Sequence, residues 1–307
     1  MARDSVRVFE VGLRDGLQNE PRLVSIKNKI WLATALVQTG IRDLELGAFV
    51  RPDRVPQMAD TDEFYRKIAS NEVDLGSAAA WCLVPNRKGL YRALRVGATH
   101  LAVFTAATES FVKRNIGMTR NESLREFKLV INEGREILGH RLHVRGYVST
   151  AFGCPFEGRV RSSQALKMID HLMDLGVDQV SVGDTIGVAT PADVTNIIKP
   201  ALKNHGVEKI AVHFHDTRGT ALANTLRALD LGARTVDSSV GGLGGCPFAP
   251  GASGNLATED LVYMLNGIGM RTGIQLDLLC KLSLEFSKRI KRNVTSRYLQ
   301  AFAARQR

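Results

Sequence analysis

Eight short β-rich apolar runs alternate with stretches of helical period, most of those stretches stop at a glycine, and polar side chains gather where the runs end. These three observations predict an α/β chain folded as a (β/α)8 TIM barrel with additional C-terminal helices. The first run is VRVFEVG (6–12), followed by 43–49, 73–83, 99–107, 142–152, 179–185, 209–217 and 235–244. Helical patterns occupy 26–40, 123–139, 163–176, 189–206 and 221–232, with glycine as the usual stop. The spacing is less regular over 51–72 and 84–96, where the second and third helices of a barrel belong. Helices near 257–267 and 275–290 complete the pattern. No stretch rich in Pro, Ser or Gly marks a linker, so 1–307 reads as one catalytic domain whose residues from about 270 to 307 form a helical extension. A dinucleotide-binding sheet is disfavoured because no G-x-G-x-x-G follows the first run.

A chain of 307 residues, 44% hydrophobic, can bury a large core. It holds no apolar run of about 18 residues, which argues against a membrane partner. MARDSVRVFEV lacks the apolar stretch of a signal peptide, and Cys82, Cys154, Cys246 and Cys280 are too dispersed for a disulfide framework. Both features lead us to expect a reducing, cytoplasmic setting. The net charge of +10 is uneven: residues 281–307 carry eight Lys/Arg against one acid, Glu285. A basic segment suits an anionic ligand or a solvated helix, and no nucleic-acid module accompanies it.

Catalytic groups of such barrels sit where strands end. The first run ends in Arg14 and Asp15, the second carries Glu45, and the sixth ends in Asp184. The seventh, KIAVHFHDT, supplies His213 and His215, which share one side of a strand while Phe214 takes the other. The eighth opens into GGLGGCPFAPGASGN (241–255), with six glycines, Cys246 and Asn255. Mixed oxygen and nitrogen donors from Asp15, His213, His215 and Asn255 suit a six-coordinate divalent cation such as Mg²⁺ or Mn²⁺, with Co²⁺ also compatible. The glycines suggest a flexible lid carrying an exposed thiol.

These residues belong to recognisable motifs. EVGLRDGLQNE (10–20) resembles the opening motif of 3-hydroxy-3-methylglutaryl-CoA (HMG-CoA) lyases, within the DRE-TIM metallolyases, and GGLGGCPFAPGASGNLATEDLVYML (241–265) resembles their cysteine-bearing loop. RPDRVPQMADTDE, STAFGCPFEGRV, SVGDTIGVATP and VHFHDTRGTALANTLRALDLG extend the resemblance over residues 5–270. Leu13, where proline is usual, and Pro21, where a basic residue is common, depart from it.

The resemblance implies cleavage of HMG-CoA to acetyl-CoA and acetoacetate. It implies a cation held by Asp15, His213, His215 and Asn255, with Arg14 neutralising charge on the thioester oxygen. Glu45 would support the metal and the basic site, Asp15 or His213 would take a proton, and Cys246 would transfer one. The implied substrate is an acyl-CoA, and Lys113, Arg114, Lys291, Arg292 and Arg297 are candidates for its phosphates. Neither a nucleic acid nor a membrane is expected as partner, and a homodimer or larger homo-oligomer is compatible. Two rivals share the chemistry: a lyase for longer 3-hydroxy-3-alkylglutaryl-CoA substrates, and a related metal-dependent aldolase or acyl-transferring synthase.

Overall fold

Parallel pairing closes a barrel from β1 (Arg7–Glu10), β2 (Asp43–Ala48), β3 (Ala79–Leu83), β4 (His100–Ala106) and β5 (His143–Ser149), completed by three later strands. A small antiparallel hairpin, β6 (Gly153–Cys154) with β7 (Gly158–Arg159), interrupts the series. The barrel then resumes with β8 (Gln179–Asp184), β9 (Ile210–Phe214) and β10 (Thr235–Ser238). Around the wall the order is β1-β10-β9-β8-β5-β4-β3-β2, as expected of a (β/α)8 fold. This computed structural model describes residues 5–245, 254–293 and 295–305.

Helices α1 (Ile26–Gln38), α2 (Thr61–Ala69), α3 (Arg87–Arg95), α4 (Glu109–Ile116) and α5 (Arg120–Leu138) surround the first half. The second half carries α6 (Ser162–Asp174), α7 (Pro191–His205) and α8 (Ala221–Asp230), then α9 (Thr258–Gly267), α10 (Leu276–Ile290) and α11 (Arg297–Ala304). The irregular stretches at 51–72 and 84–96 do form helices. Each is only nine residues long, too few turns for a helical period to stand out from the irregular sequence around it. The third strand is shorter than its apolar run, since residues 73–78 form an approach turn closed by Ala78 N–H to Leu75 O. The eighth run likewise ends at Ser238, and a tight turn follows at Val240–Gly242.

Two apolar clusters divide the interior. The large one lies between strands and helices and includes Leu32, Leu44, Phe127, Val148, Ile169 and Val236. The small one, Phe9, Val11 and Trp81 with Ala79, is enclosed by the strands themselves. The rest of the barrel's inside is polar: Arg145, Ser181 and Asp237 are fully or almost fully buried there. Arg145 stacks its guanidinium 3.8 Å from the Phe9 ring centre. That charged interior positions the site above it.

Candidate active site

A π-helical turn, Gly12–Gly16, leaves β1 and carries Arg14 and Asp15 over the barrel mouth. The turn closes through Gly16 N–H donating to Val11 O over 3.0 Å, and such widened turns often mark functional positions. Opposite it, β9 delivers His213 and the chain continues to His215, their rings 5.2 Å apart. Phe214 points to the other side and packs on Phe152, so the expected alternation holds. Asp15 Oδ2 lies 3.9 Å from His213 Nε2 and 3.8 Å from His215 Nε2. One ligand atom from each of the three falls within 4.8 Å of the others. Asn255 reaches the cluster through a backbone bridge to His215, and its amide Nδ2 donates to Asp15 Oδ2 over 2.9 Å.

The donors suit a divalent cation. His215 Nδ1 and Asn255 Oδ1 are buried with no hydrogen-bond partner among the described residues, a costly state for polar atoms unless a ligand meets them. One carboxylate, two imidazoles and an amide oxygen make an open, mixed N/O set rather than a closed thiolate site.

Beside this cluster Arg14 is clamped. Its Nε donates to Glu45 Oε2 over 2.6 Å and its Nη1 to Asp15 Oδ1 over 2.7 Å, with the Tyr147 ring 5.3 Å from the guanidinium carbon. A register shift in β2 between Glu45 and Gly47 aims Glu45 inward. A side chain at Gly47 would meet Thr61 Oγ1 at 2.5 Å, so the shift needs glycine. Tyr147 also donates to Glu45 Oε2, over 3.1 Å. Burial pushes the Glu45 carboxyl up, against the pull of Arg14. Burial acts the same way on Asp15, but there Arg14 and the two imidazoles win and hold the carboxyl well below the usual range.

Under the cluster lies a chain that periodicity did not expose. His213 Nδ1 is 3.2 Å from Asp237 Oδ2, Ser181 Oγ donates to the same oxygen over 2.8 Å, and Arg145 Nη2 donates to Asp237 Oδ1 over 2.5 Å. Asp237 sits beside His213 in the β10–β9 register. Arg145, Ser181 and Asp237 escaped notice because a polar residue inside a strand reads as its solvent side. The usable signal was that parallel barrel strands have no solvent side.

Cys246 lies outside the described residues; the stem leading to it, Val240–Gly245, is hydrogen-bonded on several sides. Val240 N–H donates to Glu10 Oε1 over 2.9 Å and Gly241 N–H to both Glu259 oxygens over 3.0 Å. Thr295 N–H bonds Gly241 O, Arg292 Nη2 reaches Gly244 O over 3.3 Å, and Asn19 Nδ2 reaches Gly245 O over 3.1 Å. A Cβ on Gly244 would fall 2.4 Å from Asn255 Nδ2, and one on Gly254 2.5 Å from Gly242 O. These glycines permit close packing beside Asn255, a tighter role than the lid reading gave them.

The basic candidates separate into two groups. Lys113 and Arg114 are exposed in the last turn of α4, and Arg114 covers the Phe156 ring. Lys291 ends α10 and Arg297 begins α11, both exposed. Arg292 is half-buried and paired with Glu20. Lys113 and Arg114 follow β4, whereas Lys291 and Arg297 belong to helices that pack on α1 and α9. Asp184 spends its oxygens on Val188 N–H and Ala189 N–H, which folds its own loop.

A (β/α)8 barrel with a divalent-metal-competent Asp/His/His cluster and a clamped arginine at the strand ends is the class of protein defined here. The chain belongs to the HMGL-like family, whose match spans residues 5–284. It is 44% identical over 301 residues to the hydroxymethylglutaryl-CoA lyase of Pseudomonas mevalonii, covering 98% of each chain. The mitochondrial enzyme of that name from Bos taurus is 43% identical over 296 residues, covering 96% of this chain and 89% of its own. Among solved structures, the hydroxymethylglutaryl-CoA lyase of Pseudomonas aeruginosa superposes with a TM-score of 0.92 at 39% identity, covering 98% of both chains. An HMG-CoA lyase from A. baumannii in complex with coenzyme A and 3-methylmalate gives 0.91 at 37% identity, covering 98% of this chain and 96% of its own.

Proposed function

We propose that the chain is a metal-dependent carbon–carbon lyase that cleaves HMG-CoA to acetyl-CoA and acetoacetate. The observation that carries this reading is the junction of Arg14 with the Asp15–His213–His215 cluster at one barrel mouth. Asp15, His213, His215 and Asn255 would hold a divalent cation, which would supply Lewis acidity toward the substrate's tertiary hydroxyl. Cleavage removes that hydroxyl proton, turns C3 into a ketone and leaves the C2–C3 electron pair on C2 as the thioester enolate. Arg14 has Nε and Nη1 committed to carboxylates, so Nη2 remains to donate to the thioester oxygen as charge develops. Glu45 and Tyr147 keep that guanidinium still, which conserves its orientation for the transition state. Asp15 stands beside the cation-binding position, where it would orient the hydroxyl and take its proton once the cation lowers the hydroxyl's pKa. The Cys246 thiol then protonates C2 to give acetyl-CoA.

Lys113, Arg114, Lys291 and Arg297 are available for coenzyme A phosphates, and the coenzyme A complex of the A. baumannii relative supports an acyl-CoA substrate. Mg²⁺ or Mn²⁺ matches the donor set. Cys82, Cys154 and Cys280 are unpaired, which agrees with a cytoplasmic setting. No described helix is long and apolar enough to cross a membrane. The test is acetyl-CoA release across several 3-hydroxyacyl-CoAs, with and without chelator. Preference for HMG-CoA and loss of activity with chelator are expected. A preference for longer 3-alkyl substrates would transfer the assignment to them.

A further inference from the structure

We infer that Asp237 is a positioning residue that fixes the tautomer of His213 and thereby creates the site's capacity for metal. The inference rests on the metal reading of the Asp15–His213–His215 cluster. An imidazole can ligate only through a nitrogen that carries no proton, so a ligand histidine must keep its proton on the other one. His213 turns Nε2 toward Asp15 and Nδ1 toward Asp237 Oδ2, 3.2 Å away. Asp237 is 1% exposed and held from two further sides, by Arg145 on Oδ1 and Ser181 on Oδ2. Ser181 has one proton and gives it to that carboxylate, so the hydrogen between His213 and Asp237 must come from Nδ1. The Nε2 lone pair is left facing the other two candidate ligands. Arg145 completes the arrangement: its guanidinium, fully buried, donates to Oδ1 in an ion pair, so the carboxylate accepts on both oxygens.

Asp237→Asn separates this role from simple packing, since the amide has the carboxylate's size. Arg145 can only donate, so it will claim the amide oxygen at the Oδ1 position. The NH2 group then lies at the Oδ2 position and donates to His213 Nδ1. The proton moves to Nε2, the nitrogen that must be bare.

Two measurements on the full chain test this. In metal-free wild type at about pH 8, where imidazoles are ordinarily neutral, nitrogen NMR of ¹⁵N-histidine should show His213 protonated on Nδ1. A His213→Gln sample assigns the signal. Calorimetric titration with Mn²⁺ should show Asp237→Asn weaker than wild type by about 10–100-fold. A wild-type His213 protonated on Nε2, or an Asp237→Asn variant binding Mn²⁺ within threefold of wild type, overturns the inference. The NMR arm needs no variant other than the assignment sample, so a misfolded Asp237→Asn still leaves a decision. Wild type that takes up no Mn²⁺ refutes the metal reading itself, a failure distinct from the wrong tautomer.

Discussion

Arg14 shows how one side chain serves two partners. Its salt bridges to Asp15 and Glu45 are largely buried, so they orient it strongly and keep Asp15 ionised. Replacing it with glutamine should lower kcat by roughly 10²–10³-fold, in line with about 3–4 kcal/mol for one preorganised donor. Mn²⁺ uptake should persist, and a variant within tenfold of wild type in steady-state turnover would remove the enolate role. His215→Ala is expected to act the other way: calorimetry should show Mn²⁺ affinity lost, because its ring is one of three groups whose donor atoms lie within 4.8 Å of one another. At this scale the sequence was informative where chemistry sits at strand ends. Asp15, His213 and His215 could be found from polarity and i, i+2 spacing. Arg145 and Asp237 were harder to see, because a mid-strand charge has an ordinary surface reading unless the closed parallel barrel is already assumed.

Single elements carry the next level of organisation. The stem at Val240–Gly245 is gripped by four separate parts of the chain: Glu10 in β1, Asn19 after the π-helical turn, Glu259 in α9, and Arg292 with Thr295 between α10 and α11. Asp260 reinforces the last of these by accepting from Ser296 Oγ and from the N–H groups of Arg297 and Tyr298. The helical extension therefore braces the base of the loop that bears Cys246. Gly244→Ala combines a φ of +127° with a clash against Asn255, so it should reduce both Mn²⁺ affinity and turnover while the strands remain intact by circular dichroism. Arg292→Met leaves Asn255 untouched, and its kcat should fall with Mn²⁺ affinity preserved. Helix α11 was not legible beforehand, because its short apolar stretch sits in a strongly basic tail. Nor could the grip on the stem be read from sequence. Its contacts from Glu10 and Asn19 span more than 200 positions, and local patterning offers no signal for such pairs.

For the whole molecule, the buried carboxyls set the response to pH. Burial raises both Glu10 and Glu259 to about 7, against hydrogen bonds from Thr258 and Ser283 respectively and from backbone N–H groups. Unfolding frees each to ionise at its ordinary pKa, so the native state binds more protons between about pH 4.5 and 7. Stability should thus be highest on the acid side of that window and decline as pH rises through it, on the order of 3 kcal/mol per carboxyl. Asp15 and Asp237, held low, add the opposite trend only in stronger acid, as pH falls through the ordinary carboxylate range. Denaturant melts at several pH values should show the decline, and Glu259→Gln should flatten it. The barrel itself was readable from eight alternations; its polar interior was not, since parity alone assigns apolar residues there. That interior has a kinetic consequence. With Arg145, Phe9 and Trp81 plugging the shaft from below, the far end offers no drain. Both fragments of a cleaved substrate must depart by the doorway through which it arrived, so whichever lingers keeps the next molecule waiting outside.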